Sequence, residues 1–397
     1  MIDSGQAAGS FSRHSTLVSE EDSSRALDRD LFLLTFLILV TVALFFFTRT
    51  IAAREQRMEV DIAAFWYAQG ERLLSSGSTT QAIDAFRKAV AGERENRKYA
   101  FALANALAAG NHDQEAMQTI LRLREFDPEN ADINLALARL AAKHNDLSET
   151  IHYYENAIYG RWAGTEVDQR RREVRIELIQ FLMAHQQRAR ALSELLILDA
   201  ELPRTAEAHE KAGELFLQVR DAQHALNDFS EAIKLDNHNA SALAGVGEAS
   251  FDLGDYVKAQ RYLEAAVLQS PESEPAKQLL STVKIILSTD PLTPNISLKE
   301  RQQRLLRIYT QALQRLESCL AQFSKNRDTG SLQKLESEAV ALRPKLEIQS
   351  LRRNPDLVRS GLDLAYRMER ATSDTCGEPS GLDQAVILIA RRHGAQQ

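Results

Sequence analysis

Chemistry needs nucleophiles, acids, bases or metal ligands held at workable spacing, and this chain offers few of them. Its 9 histidines are scattered along the sequence. His144 and His152 have no thiol or carboxylate at metal-ligand spacing, so no metal site is expected. There is no glycine-rich loop to cradle phosphates and no Gly-x-Ser-x-Gly turn to present a nucleophile. Acidic pairs are abundant, but on amphipathic helices carboxylates are solvated faces far more often than acid and base. The reading is no catalytic residue, no metal and no cofactor. The 2 cysteines, Cys319 and Cys376, leave two alternatives open. Cys319 falls on an apolar seam, where a reduced buried thiol is the commoner state, while an oxidising compartment would allow the pair to bridge.

What could position a binding surface is a pattern that recurs every 34 residues from Ala63 to Pro271. In the first unit, from Ala63, residues Trp66, Gly70, Leu73, Gly77, Ala82, Phe86 and Ala89 occupy positions 4, 8, 11, 15, 20, 24 and 27. The units from Arg97 (Leu103, Ala104, Leu107, Ala116, Pro128) and Ala131 (Leu137, Ala138, Ala141, Tyr154, Ala157) keep strict phase. Phase then slips by 7 residues around the Arg-rich stretch Arg161 to Arg172. It returns in a unit from Arg172 (Leu178, Leu182, Ala191, Leu195, Pro203), followed by units from Ala206 (Gly213, Phe216, Ala225, Phe229, Ala232) and Ala240 (Gly247, Gly254, Ala259, Leu263, Ala266). A period of this length means helix pairs that cannot bury an apolar face alone and must stack.

These residues resemble the tetratricopeptide repeat family, which places small residues at positions 8, 20 and 27 and bulky ones at 4, 7, 11 and 24. The resemblance implies an all-α fold, with a right-handed α-solenoid of about six repeats over residues 63–290, a capping helix included. Small residues at 8 and 20 let the paired helices cross closely, and proline at 32 stops the second helix. Departures occur at Gln69, Leu123, Thr150, Ile179 and Leu198, where looser interfaces are expected.

Upstream, the uncharged run Leu31 to Thr48 covers about 27 Å as a helix, close to a bilayer core of about 30 Å, and reads as one uncleaved transmembrane helix. Residues 1–30 read as a disordered tail and 49–62 as a helical stalk, since no Gly or Pro interrupts Leu31 to Gln69. Arg13, Arg25 and Arg29 before the span balance Arg49, Arg54 and Arg57 after it, so the positive-inside rule returns a tie. The reading carried forward is a bacterial inner-membrane protein with its repeats on the periplasmic side.

After the repeats, residues 291–397 read as a C-terminal helical region. Tyr309, Ala312, Leu316, Cys319 and Phe323, then Leu332, Leu335, Ala339 and Leu342, form two stripes of a helical hairpin joined near Asp328-Thr329-Gly330, with further helices over Asp356 to Ala371 and Leu382 to Arg392. Self-association through these helices is the alternative to packing within the chain.

A net charge of −7 leaves no basic footprint for nucleic acid. In the family that these repeats resemble, positions 2, 5, 6, 9 and 12 face the binding wall. That assigns Tyr67, Lys98, Phe101, Asn105 and Arg139 to the wall of the first three units, and Glu173, Glu207, Glu210, Glu214 and Glu248 to the last three. The Lys/Asn pattern that clamps acidic chaperone tails is absent, with Glu71 and Asp132 among its positions. The expected partner is a protein with a basic or extended segment, and lipid meets the chain through the one anchor. The function expected is a membrane-anchored scaffold or adaptor. A structural accessory subunit of a membrane enzyme or envelope-assembly complex is the rival, and an active site beyond Leu298 the remote third.

Overall fold

The computed structural model describes residues 20–323 and 330–394. Within them every regular element is a helix, apart from one isolated bridge between Asn130 and Arg161. The chain divides into two compact units, Met1–Thr165 and Glu166–Gln397. The first holds α1 (Glu20–Ser75), α2 (Thr79–Gly92), α3 (Arg97–Ala109), α4 (Asp113–Phe126), α5 (Ala131–Lys143) and α6 (Leu147–Tyr159). The second holds α7 (Val167–Ala184), α8 (Arg188–Ala200), α9 (Ala206–Gln218), α10 (Ala222–Leu235), α11 (Ala240–Asp252), α12 (Tyr256–Gln269), α13 (Glu274–Thr289), α14 (Leu298–Phe323), α15 (Gly330–Leu342), α16 (Ile348–Arg353), α17 (Asp356–Cys376) and α18 (Leu382–Arg392).

Each 34-residue unit is one antiparallel helix pair, three pairs in each compact unit, the first formed by the end of α1 with α2. What brings the paired helices together is position 8 against position 24. A Cβ built on Gly70 would stand 2.6 Å from the Phe86 ring, on Gly213 2.9 Å from Phe229, and on Gly247 2.6 Å from Leu263. Of the departures from the pattern, Leu123, Thr150, Ile179 and Leu198 are buried, Thr150 with its hydroxyl unpartnered among the described residues, and Gln69 is half-buried.

The turns repeat as closely as the cores. Position 34 caps the next pair, with Asn96, Asn130, Thr205 and Asn239 each accepting a hydrogen bond from a backbone N–H of the following helix. Position 16 caps the second helix through Asp146, Asp221 and Asp255. Position 15, between the helices of a pair, is left-handed in all six: Gly77, Asn111, Asn145, Gln186, Arg220 and Gly254 have φ between 56° and 79°. Gly and Asn suit that geometry, while Gln186 and Arg220 carry its steric cost.

One boundary differs from expectation. α1 starts at Glu20 and not after residue 30. Residues 1–19 of the expected tail, and Asp328 and Thr329, lie outside the described residues. Across the 7-residue slip in the repeat, α7 begins at Val167, ahead of the unit that restarts at Arg172. The start of the slip turns back: Arg161 N donates to Glu129 O at 2.8 Å, its guanidinium reaches Asp127 at 2.7 Å, and Trp162 is buried.

Leu31–Ile51 of α1 forms an apolar stretch of mean hydropathy 2.7, none of it buried. Its hydroxyls are satisfied along the helix, Thr35 donating to Leu31 O at 2.9 Å, Thr41 to Ile38 O at 2.8 Å and Thr48 to Leu44 O at 2.9 Å.

Residues 291–397, expected as a region of their own, share one core with the last repeat and α13. Tyr256 Oη donates to Leu388 O at 3.5 Å, and the buried Asp290 carboxylate meets His393 at 2.9 Å and Arg392 at 3.5 Å. The principal partner of α14 is α17, with α15 a lesser one, so the expected hairpin is part of a larger bundle. Cys319 of α14 and Cys376 of α17 form a disulfide, Cα atoms 5.9 Å apart, which decides the alternative that their sequence left open. Beside it Arg315 pairs with the fully buried Glu369 and lies 3.9 Å from Asp383. Glu369 Oε1 and Asp383 Oδ1 are buried without a hydrogen-bond partner among the described residues. Burial raises the Glu369 pKa to about 7 despite Arg315, and Asp383 adds to the rise.

Arg220→Gly is expected to stabilise the fifth repeat by about 1 kcal/mol in denaturant unfolding, because glycine removes the left-handed strain. No gain would mean that attraction between Arg220 and Asp252 offsets it. The pH dependence follows from Glu369, whose pKa is higher folded than its ordinary 4.5, so that the folded chain binds the extra proton. Stability therefore falls as pH rises from about 4.5 to about 7 and levels above, with a slope of at most about 1.4 kcal/mol per pH unit from this group. Glu369→Gln is expected to flatten that decline in urea midpoints measured across the window, and an unchanged slope would place the proton elsewhere.

Candidate functional site

The exposed edges of the first helices carry the residues expected to meet a partner. Of these, α1, α3 and α5 carry Tyr67, Lys98, Phe101, Asn105 and Arg139, while α7, α9 and α11 carry Glu173, Glu207, Glu210, Glu214 and Glu248. The two sets belong to different compact units.

In the first set Tyr67 is half-buried. Its ring stacks on Tyr99 at 4.8 Å between centroids, and the Lys98 ammonium sits 4.6 Å over it. Desolvation, then the neighbouring Glu71 charge, raises the Tyr67 hydroxyl pKa. Tyr67 and Lys98 are therefore drawn together as part of the seam between α1 and α3, which leaves less of either for a partner. Phe101 is half-buried, and Asn105 and Arg139 are exposed.

In the second set, Glu207, Glu210 and Glu214 follow the three- and four-residue spacing of one face of α9. Their surroundings differ. Glu214 is paired with Lys211 at 2.9 Å, a cation interleaved among the glutamates that dilutes the acidic face. Glu210 accepts from Asn239 Nδ2 at 2.6 Å, while Asn239 Oδ1 accepts from Ala242 N at 2.8 Å and caps α11. Glu173 accepts from Gln169 at 2.9 Å. Glu207 and Glu248 are exposed and make no hydrogen bond or ion pair among the described residues. Glu207 is thus uncommitted, while desolvation and then the Asp252 charge raise the Glu248 pKa.

The family model of the tetratricopeptide repeat matches residues 73–140 and 216–282, inside the helix pairs of both compact units. Over those residues the chain carries tetratricopeptide repeats. A curated relative, DnaJ homolog subfamily C member 3 of Rattus norvegicus, is 22% identical to it over 205 residues, 47% of this chain and 39% of the relative. The chain thus spans about two fifths of that relative's length. Among solved structures, YrrB, described as a tetratricopeptide repeat protein with an unusual peptide-binding site, aligns at 19% identity over 49% of this chain and 97% of its own, with a TM-score of 0.39. The C-terminal part of a repeat protein from Cytophaga hutchinsonii aligns at 13% identity over 62% and 94%, with a TM-score of 0.45.

Two pairs of functional-type side chains in this repeat protein escaped inspection of the sequence. In the fourth and fifth repeats, positions 4 and 23 form ion pairs across the helix pair: Arg175 with Glu194 at 2.7 Å, and His209 Nδ1 with Asp228 Oδ1 at 2.8 Å. The available signal was a complementary polar pair 19 residues apart at positions that other repeats fill with Trp66 and Ala85 or with Leu243 and Tyr262. Asp199, from the preceding repeat, joins the second pair, and the donor atoms of Asp199, His209 and Asp228 all lie within 4.8 Å of one another. Burial raises the Asp228 pKa to about 6, with the His209 hydrogen bond opposing and the Asp199 charge reinforcing the rise. This is the cluster among the described residues with the donors to hold a metal ion.

Proposed function

We propose that this protein is a scaffold held at a membrane by α1, whose repeats gather a partner protein outside the cytoplasm. Tetratricopeptide repeats imply protein-protein interaction, and the helix pairs leave their first-helix edges available for it. The membrane part of the proposal is carried by Leu31–Ile51. It covers about 31 Å as a helix, matches a bilayer core in length, and has its threonine hydroxyls satisfied within the helix, as hydrocarbon requires. The unbroken run of α1 from that stretch into the first repeat supplies the stalk. The disulfide between Cys319 and Cys376 supports an extracytoplasmic site for the second unit, because such bridges persist in oxidising compartments and are rare in the cytosol.

The partner segment is a basic or extended one. Glu207 and Glu248 favour cationic side chains on α9 and α11, and Phe101 offers an apolar contact in the first unit.

The sidedness is tested by Ser76→Cys in intact cells with a thiol reagent that cannot cross the membrane. The native cysteines are bridged and do not compete. Labelling of intact cells is expected, and protection until lysis would put the repeats in the cytoplasm. The surface is tested with Glu207→Lys combined with Glu248→Lys, which spares the structural Glu210. Capture of partner proteins from detergent extract is expected to fall about tenfold or more, as double charge reversal costs over about 1.4 kcal/mol. Undiminished capture would remove the acidic surface from the mechanism.

A further inference from the structure

We propose that Asp199, His209 and Asp228 form a site for one divalent first-row transition metal ion, such as Zn2+, that ties the fourth repeat to the fifth. Asp199 lies in the last turn of α8, His209 in the first turn of α9 and Asp228 in the middle of α10, so the three ligands arrive from three helices across the connection Glu201–Thr205.

The geometry is that of a ligand set slightly open. Zn–N and Zn–O bonds of about 2.0–2.2 Å put the donors of one ion roughly 3–4 Å apart. Here all three donor atoms fall within 4.8 Å of one another, and His209 Nδ1 is 2.8 Å from Asp228 Oδ1. Small side-chain rotations close the difference, and the backbone of the helices stays in place.

Charge points the same way. Asp228 is only 5% exposed, yet His209 is the sole donor to its carboxylate among the described residues. Asp199 lies within side-chain hydrogen-bonding reach of Asp228, and among the described residues no lysine or arginine pairs with either acid. Two carboxylates and one imidazole meet here at the edge of the core, an arrangement that a bound cation would neutralise. A divalent ion bound to both carboxylates and a neutral imidazole leaves the site uncharged. An imidazole among the ligands suits zinc and its neighbours better than Mg2+ or Ca2+, which prefer all-oxygen shells. Asp199 and His209 are partly exposed, which gives the ion a way in and leaves room for a water to complete the shell.

The test uses the full chain, purified without a histidine tag in detergent and stripped with a chelator. Isothermal titration with Zn2+ is expected to show one ion bound per chain, with a rise in thermal midpoint that Mg2+ does not reproduce. His209→Ala and, separately, the milder Asp199→Asn should weaken that uptake by more than the roughly 10–100-fold that an outer-sphere partner costs, with helical circular dichroism unchanged. Zn2+ uptake that is absent, or equal in the wild type and both folded variants, would overturn the site. An equal rise with Mg2+ would overturn the imidazole-ligated assignment.

Discussion

The contact between position 8 of one helix and position 24 of its partner is what the rest of this protein depends on. Where Gly70, Gly213 and Gly247 meet Phe86, Phe229 and Leu263, a single added carbon would collide with the facing side chain. That closeness sets how each pair crosses, and the crossing sets which edge of the first helix stays outside. The fourth repeat holds Ile179 and Leu195 at these two positions, both fully buried, so a larger residue at position 8 is accommodated within the core there.

Around this contact the polar groups do two kinds of work. Position 34 and position 16 side chains satisfy helix starts, and position 15 ends the first helix by turning left-handed. Other polar side chains are placed between helices. Asn134, buried, donates to Pro128 O and Asn130 O at 2.8 Å and accepts from Arg124, locking the turn between the second and third repeats. Glu210 shows how binding and structure compete for one side chain. Its carboxylate is the acceptor for the residue that caps α11, so its charge is partly committed before any partner arrives.

The C-terminal helices follow a different logic from the repeats. Their core is shared with the last pair and α13, and it is joined by a disulfide, a buried Arg315–Glu369 pair and the Asp290–His393 contact. Buried charge of this kind is costly unless paired, and Arg315 supplies the pairing for Glu369. The open end of the repeat stack is thereby covered, where an uncovered pair would expose an apolar face.

The period of the sequence determined the six helix pairs, their caps and the apolar stretch of α1, because each is a local matter: spacing within one turn, a proline lacking an N–H, or a run of residues with no charge. Even the misplaced start of α1, at Glu20 and not after residue 30, is an error at a helix end. Tertiary structure alone decided the pairing of Cys319 with Cys376, the burial of Glu369 against Arg315, and the meeting of Asp199 with His209 and Asp228. Side chains far apart in sequence become neighbours only when helix crossings and rotations about each axis are set. Those depend on the packed cores as a whole, and no local spacing records them.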